Sequence, residues 1–266
     1  MSRGIILAAH GSRQPGAMAA LAAFRAQVAA EHPDCRVELA RTVGRKHGNA
    51  AAFGGARQVL DVLAELAAAG VTAVAVQSLH VVPGEEYHEM LGGLGRFLEN
   101  GGQALSLSVG APLLADLTDV DRVTGAILAA VPARRTAGHG VVVMGHGAPP
   151  PGAGFYDVLR ERLARRDPLA LFGTMPRERG APCHDLVRIR ETLVALGVAE
   201  VWLLPFLTVA GAHACCDLAG ETASSWRGVL EAAGIRCRAR LAGLVEDTGF
   251  AAVWRDHLAK ALARLG

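Results

Sequence analysis

VTAVAVQSLHVVPGEEYH occupies positions 71–88, and VAEVWLLPFLTVAGAHAC occupies positions 198–215. Each opens directly after a glycine, Gly70 or Gly197, placed where a helix would stop in a left-handed C′ position. Each then runs through an apolar, β-branched segment of strand length and breaks into a Gly-containing loop that carries charged or imidazole side chains. The two stretches match in register. Gly70 pairs with Gly197, Val71 with Val198, Val74 with Val201, Gly84 with Gly211, and Glu86 with His213, always 127 positions apart. The chain therefore carries an internal duplication.

Working outward, the same repeat is found upstream of each stretch. GIILAA (4–9) ends in His10-Gly11-Ser12-Arg13, and GVVVM (140–144) ends in Gly145-His146-Gly147. Between these landmarks the pattern predicts helices over 17–31, 56–69, 86–98 and 116–130, and strands over 36–43 and 104–110. Strands that alternate with helices imply βαβ units and a parallel sheet. The expected fold is α/β, with two similar Rossmann-like domains whose parallel sheets are flanked by helices and which face each other across a cleft. The polar stretch VPARRTAGHG (131–140) reads as the linker, giving domains over 1–132 and 138–266.

Composition narrows the function classes. Of 266 residues, 51% are hydrophobic and 20% charged, enough apolar material for substantial cores and too much for disorder. The net charge of +2, with basic residues scattered, is too weak to imply nucleic-acid binding. No segment approaches the roughly 20 apolar residues of a membrane span, and the N-terminus lacks a signal-peptide core. Five cysteines without a framework, Cys35, Cys183, Cys215, Cys216 and Cys237, argue against a disulfide scaffold and for the cytoplasm.

In open parallel sheets, ligands bind beyond the carboxyl ends of the strands. His10, His146, Glu85, Glu86 and His213 all fall just after expected strands. Neutral imidazole is the commonest ligand of first-row divalent metals, and a carboxylate adds charge neutralisation. CxxC and HExxH are both missing, so a structural zinc site is not indicated. Two or three protein ligands would leave open positions, which suits catalysis or metal transfer. The bland alternatives are a half-exposed loop role for His80 and His88, structural or surface roles for His32, His47, His139, His184 and His257, and buried hydrophobes for Cys215 and Cys216. Histidine phosphatases place Arg before the histidine, where this chain has Ala9 and Gly145. Neither loop fits the GxGxxG pattern of dinucleotide binding.

The segments VVVMGHG (141–147), VQSLHVVPGEEY (76–87) and LLPFLTVAGAHACCDLAGE (203–221), followed by SSW (224–226), resemble the cobaltochelatases of the anaerobic cobalamin pathway. The likeness runs in the same order along the whole chain. It implies a chelatase fold and an enzyme, a metal-chelating lyase, that inserts Co2+ into sirohydrochlorin. Sirohydrochlorin ferrochelation for sirohaem and a non-catalytic metal or tetrapyrrole carrier are the alternatives. Co2+ is expected as substrate metal, with Fe2+ or Ni2+ as competitors and no organic cofactor. The expected partner is a sirohydrochlorin-type tetrapyrrole, without nucleic acid or membrane; homo-oligomerisation is left open.

Carried over by residue, the resemblance implies His146 as catalytic base and metal ligand and His213 as second metal ligand. Glu86 or Glu178 is the expected acidic metal ligand; His10, Ser12, Arg13 and Glu85, from their places just after expected strands rather than from the resemblance, are expected to bind the tetrapyrrole. Two departures stand out. Pro176, in GTMPRERGAP (173–182), occupies the place of the family's glutamate, so Glu178 serves only if the loop is shifted. His10-Gly11-Ser12-Arg13 replaces the usual Gly-Thr-Ser stretch and is similar to the short sirohydrochlorin chelatases.

Overall fold

A computed structural model of the chain describes residues 2–42, 57–101, 105–176, 178 and 180–266. His47 lies outside the described residues. The elements alternate as the repeat requires. Strands β1 (Arg3–Ala9), β2 (Cys35–Arg41), β3 (Ala73–Ser78) and β4 (Ser106–Gly110) form one parallel sheet in the order β2-β1-β3-β4. Strands β5 (Gly140–Gly145), β6 (Ala170–Thr174), β7 (Glu200–Phe206) and β8 (Arg236–Ala239) form a second parallel sheet in the matching order β6-β5-β7-β8. Helices α1 (Pro15–Glu31), α2 (Val59–Ala68), α3 (Glu85–Glu99) and α4 (Leu117–Ala130) precede β5. Helices α5 (Gly152–Arg166), α6 (His184–Ala195), α7 (Trp226–Ala232) and α8 (Thr248–Ala263) follow it.

The central strands are predominantly apolar because both faces of a parallel sheet are covered. β3, β5 and β7 are buried at every position. The polar exceptions in them are Gln77, Ser78 and Glu200. Gln77, 1% exposed, turns its amide along the sheet and donates to the carbonyls of Ser78 (2.7 Å) and Ala111 (2.8 Å). Gly110 lies opposite Gln77 in β4, and a Cβ there would stand 1.8 Å from the Gln77 Oε1. In β7, Leu203 accepts from Arg240, so Pro205, two residues on, faces the same side. β8 pairs only as far as Leu203, and the missing N–H of Pro205 leaves no ladder bond broken.

Contacts divide the chain into one unit of residues 1–115 and 250–266 and another of residues 116–249. This differs from the break expected between 132 and 138. The reason is that α4 and α8 each join the unit that comes later or earlier in sequence. In the second unit, α4 buries Val120, Val123, Ala126 and Ile127, and Asp121 pairs with Arg162 of α5 at 3.4 Å. In the first unit, α8 buries Trp254, Leu258 and Ala261. It is tied to the end of β4 by Arg264, which donates to the Ser108 hydroxyl (3.1 Å) and the Val109 carbonyl (2.7 Å). On its other flank Arg255 reaches Gln27 (2.8 Å) and Glu31 (3.3 Å) of α1. Each unit has its own core. One is centred on Ile6, Leu63, Val74 and Val76, the other on Val142, Leu193, Leu203 and Trp226. No helix among the described residues is long and apolar enough to cross a membrane.

Candidate metal centre at the strand ends

Both sheets reverse their winding direction beside their first strand, because β1 lies between β2 and β3 and β5 lies between β6 and β7. Such a reversal opens a crevice past the carboxyl ends of the two neighbouring strands. In the first unit His10 follows β1, while His80 and Glu86 follow β3. In the second unit His146 follows β5 and His213 follows β7. Gly11 and Gly147 come next, with φ of 88° and 83°, and let the chain turn sharply after each histidine. A Cβ on Gly147 would also press on the Met175 carbonyl at 2.9 Å.

In the second unit the rings of His146 and His213 stand 5.0 Å apart between centroids, with planes inclined at 68°. His213 opens a single π-helical turn, His213–Leu218, and its Nδ1 is 2.6 Å from Asp217 Oδ2. Imidazoles that hold a metal commonly give their other ring N–H to a carboxylate, which fixes tautomer and ring orientation. Asp217 supplies such a partner, and with Nδ1 engaged the outward donor is Nε2. π-turns inside helices recur at functional sites.

The turn is braced from behind by the motif that follows it. Ser225, 1% exposed, caps α7 by accepting from Gly228 N (2.9 Å) and donates to the carbonyls of Gly220 (2.7 Å) and Thr222 (2.9 Å). Trp226 is buried in the unit's core. Cys215 and Cys216, expected to be buried, are exposed; Ala214 and Leu218 take the inward positions instead. The spacing of four between Ala214 and Leu218 puts both on the face opposite the two thiols.

In the first unit His10 Nδ1 lies 2.7 and 2.9 Å from the two oxygens of Glu86. Thr42, just past β2, donates to Glu86 Oε2 at 3.2 Å and lies 3.1 Å from His80 Nε2. His80 is held in turn by the Ser78 hydroxyl at 2.9 Å and stands 3.5 Å from Glu86. His80 is thus part of a polar cluster rather than a bystander in its loop. Burial alone would raise the Glu86 carboxyl, but hydrogen bonds and charge from His10 and His80 outweigh it. They hold the carboxyl well below the usual carboxylate range. The hydrogen bond and charge of Glu86 raise His10 in turn, against partial burial that lowers it.

The remaining expected residues lie as follows. Ser12 accepts from Gln14 N (3.2 Å), Arg13 is exposed beside it, and Glu85 is exposed at the start of α3. Glu178 is exposed in the loop after β6. Asp185 fixes the start of that loop by accepting from Thr174 N at 2.8 Å. Among the described residues no three His, Cys, Asp or Glu side chains are gathered as a metal ligand set. The structure brings His146 to His213 and His10 to Glu86; Glu178 joins neither pair. Asp217, Thr42 and His80 were not foreseen from the sequence. An Asp four residues after His213 was the one available signal.

Two parallel sheets of one winding order, each presenting imidazole at the end of its first strand, define a duplicated α/β protein with paired metal-donor side chains. The family model described as cobalt chelatase (CbiK) matches residues 3–263, and the chain belongs to that family. A sirohydrochlorin cobaltochelatase (CbiKC) of Nitratidesulfovibrio vulgaris is 38% identical over 264 residues, covering 99% of this chain and 92% of that protein. A sirohydrochlorin cobaltochelatase of Salmonella typhimurium is 32% identical over 208 residues, covering 76% of this chain and 74% of that one. Among solved structures, SirB from Bacillus subtilis with Fe3+ shares the fold at a TM-score of 0.65 and 16% identity. That likeness covers 100% of this chain and 99% of SirB.

Proposed function

We propose that this chain is an enzyme that inserts Co2+ into sirohydrochlorin. The observation that carries the reading is the contact of His146 with His213 at the ends of neighbouring strands, with Asp217 on the second imidazole. Membership of a cobalt chelatase family supports it, as do two relatives named for this activity. Insertion removes two pyrrole N–H protons and strips water from the metal, with the metal's two charges replacing the two protons lost. His213 holds the hydrated ion through Nε2. His146 completes the pair or accepts a pyrrole proton; imidazole, with an ordinary pKa of about 6.5, exchanges protons readily near neutrality. Holding ion and ring together makes their encounter effectively intramolecular.

Glu86 and Glu178 are the candidates for an acidic metal ligand. Glu86 is already engaged by His10, His80 and Thr42, whereas Glu178 is exposed. His10, Ser12, Arg13 and Glu85 are assigned to binding the macrocycle, where the guanidinium of Arg13 suits an acidic substrate. No organic cofactor enters this chemistry. Cytoplasmic placement belongs to the proposal and rests on five cysteines that are all free.

The test is anaerobic incubation of pure protein with sirohydrochlorin and Co2+, Fe2+ or Ni2+ in turn, followed by absorbance. Many equivalents turned over with Co2+ support the proposal. A spectral change that stops at one equivalent identifies a carrier, and faster turnover with Fe2+ identifies a ferrochelatase. His146→Ala should abolish insertion while circular dichroism stays unchanged; a wild-type rate in that variant removes His146 from the mechanism.

A further inference from the structure

Cys215 and Cys216 are the two exposed thiols of the chain; Cys35 and Cys183 are half-buried and Cys237 is buried. Burial pushes the latter three thiols up, Cys237 to about 12, and so keeps them in the protonated, unreactive form. The exposed pair lies inside the π-helical turn His213–Leu218, on the side away from the buried Ala214 and Leu218. His213 Nδ1 and Asp217 Oδ2, 2.6 Å apart, tie together the residues on either side of the pair. We infer that Cys215 and Cys216 form an oxidation site, a dithiol that closes to a disulfide under a peroxide and thereby opens the turn that carries His213.

The chemistry needs two accessible thiols in reach of one another and one oxidant. One sulfur attacks the peroxide, the O–O bond breaks, and a sulfenic acid forms as one water leaves. The second thiol then displaces the sulfenic oxygen as a second water, and the S–S bond closes. Two thiols give up two electrons and two protons, and the peroxide is reduced to two waters. Solvent-accessible cysteines with a resolving thiol beside them are the usual oxidation-sensing arrangement.

Geometry couples that bond to the turn. Neighbouring Cα atoms across a trans peptide are about 3.8 Å apart, below the roughly 4.4–6.8 Å that disulfides usually span. Successive side chains also diverge around a helical turn. The bond therefore forms only when the 215–216 peptide leaves its helical geometry. That peptide has little room: the Cys216 carbonyl oxygen lies so near Gly220 that a Cβ there would stand 2.2 Å from it. Moving it displaces Asp217, the next residue, and releases His213 from its carboxylate. Strained and exposed disulfides are the labile ones, so a dithiol reductant restores the turn. Only the effect on Co2+ rests on the centre proposed for His146 and His213.

The experiment treats the metal-free, full-length protein with one equivalent of hydrogen peroxide, then desalts it. Free thiols should fall from five to three, and the peptide carrying Cys215 and Cys216 should lose two hydrogens by mass. Amide exchange over 213–218 should accelerate, and Co2+ should bind about 10–100-fold more weakly, the usual cost of losing the partner of a ligating histidine. Dithiothreitol should reverse all four changes. Cys215→Ser/Cys216→Ser should match the reduced wild type in exchange and Co2+ affinity, before and after peroxide. If that variant unfolds, as circular dichroism would show, Cys216→Ser alone, which cannot close the ring, should show the same insensitivity. Five thiols persisting, oxidation of a single cysteine, disulfides between copies on a non-reducing gel, or a closed pair with unchanged exchange would overturn the site. Thiol count and exchange are read without metal. A closed pair with faster exchange, in a protein whose reduced form binds no Co2+, would sink the proposed centre and keep this site; Co2+ binding with all five thiols resistant would do the reverse.

Discussion

Asp217 determines which nitrogen of His213 faces outward. With Nδ1 hydrogen-bonded to the carboxylate, the lone pair available to a metal is on Nε2. Asp217→Asn keeps the size and can still hydrogen-bond, but its amide can donate to Nδ1 and favour the wrong tautomer. Both Asp217→Asn and Asp217→Ala should therefore weaken Co2+ binding by about 10–100-fold, as read by competition with a chromophoric chelator. Wild-type affinity in the Asn variant would reduce Asp217 to a local brace.

The His10–Glu86 pair makes a pH-dependent contribution whose sign follows from its two shifts. Burial opposes but does not overcome the partners that lower Glu86, so its contribution is present above the unfolded carboxyl pKa of about 4.3 and is lost as pH falls through the depressed value. Glu86 raises His10, so that contribution is complete below about 6.5 and is lost as pH rises through the elevated value. The gap in melting temperature between wild type and Glu86→Gln should be widest near pH 5–6 and narrow by pH 9, with no metal present. A gap that grows steadily with pH would show that the pair is not the cause.

At this scale the sequence revealed the residues that follow strands, because position after a buried run is a local signal. Thr42 and His80 were not legible as partners of Glu86. They come from separate loops, and only the sheet order β2-β1-β3 brings those loop starts together.

The π-helical turn His213–Leu218 is the element on which the proposed centre depends, and Gly220 sets its shape. A Cβ at position 220 would lie 2.2 Å from the Cys216 carbonyl oxygen, which is backbone and cannot swing aside. Gly220→Ala should therefore displace the turn. The expected cost is about 1–3 kcal/mol in urea unfolding, the usual range for overpacking, together with weaker Co2+ binding. An unchanged unfolding midpoint would mean the turn has slack that the structure does not show.

The run from His213 to Trp226 supported the family resemblance, yet the work it does was not readable from letters alone. Ser225 holding two carbonyls and Trp226 filling the core are tertiary facts. Strands and helices fared better. The β3 and β7 stretches decide the fold because a fully buried parallel strand leaves an unbroken apolar run, and their constant offset becomes matching positions in two sheets. Cys215 and Cys216 show the limit of composition: a free cysteine is usually buried, but the inward face of this turn was already taken by Ala214 and Leu218.

For the whole molecule, the contact division and the sequence repeat do not coincide. The repeat restarts near residue 140, whereas contacts regroup at 115/116 and 249/250. The polar 131–140 stretch looked like a boundary because it is rich in Pro, Gly and charge. It is the loop between α4 and β5 inside one contact unit. Fragments cut at that stretch, 1–132 and 138–266, would separate α4 from α5 and α8 from β4. They should be aggregation-prone, whereas 116–249 should fold alone with a single cooperative transition. Soluble, cooperatively melting halves cut at 132 and 138 would show that the helices' contacts are dispensable.

The placement of α8 has a consequence for the order of assembly during synthesis. Residues 250–266 emerge from the ribosome after all of 116–249, and the first unit lacks Trp254 and the Arg264 ties to β4 until they do. The stretch translated earlier must wait, partly uncovered, while the one translated later already holds everything it needs. The usual N-terminal-first order of maturation should therefore be reversed in this chain, and an arrested nascent chain ending near residue 249 should display a protease-resistant second unit beside a digestible first one.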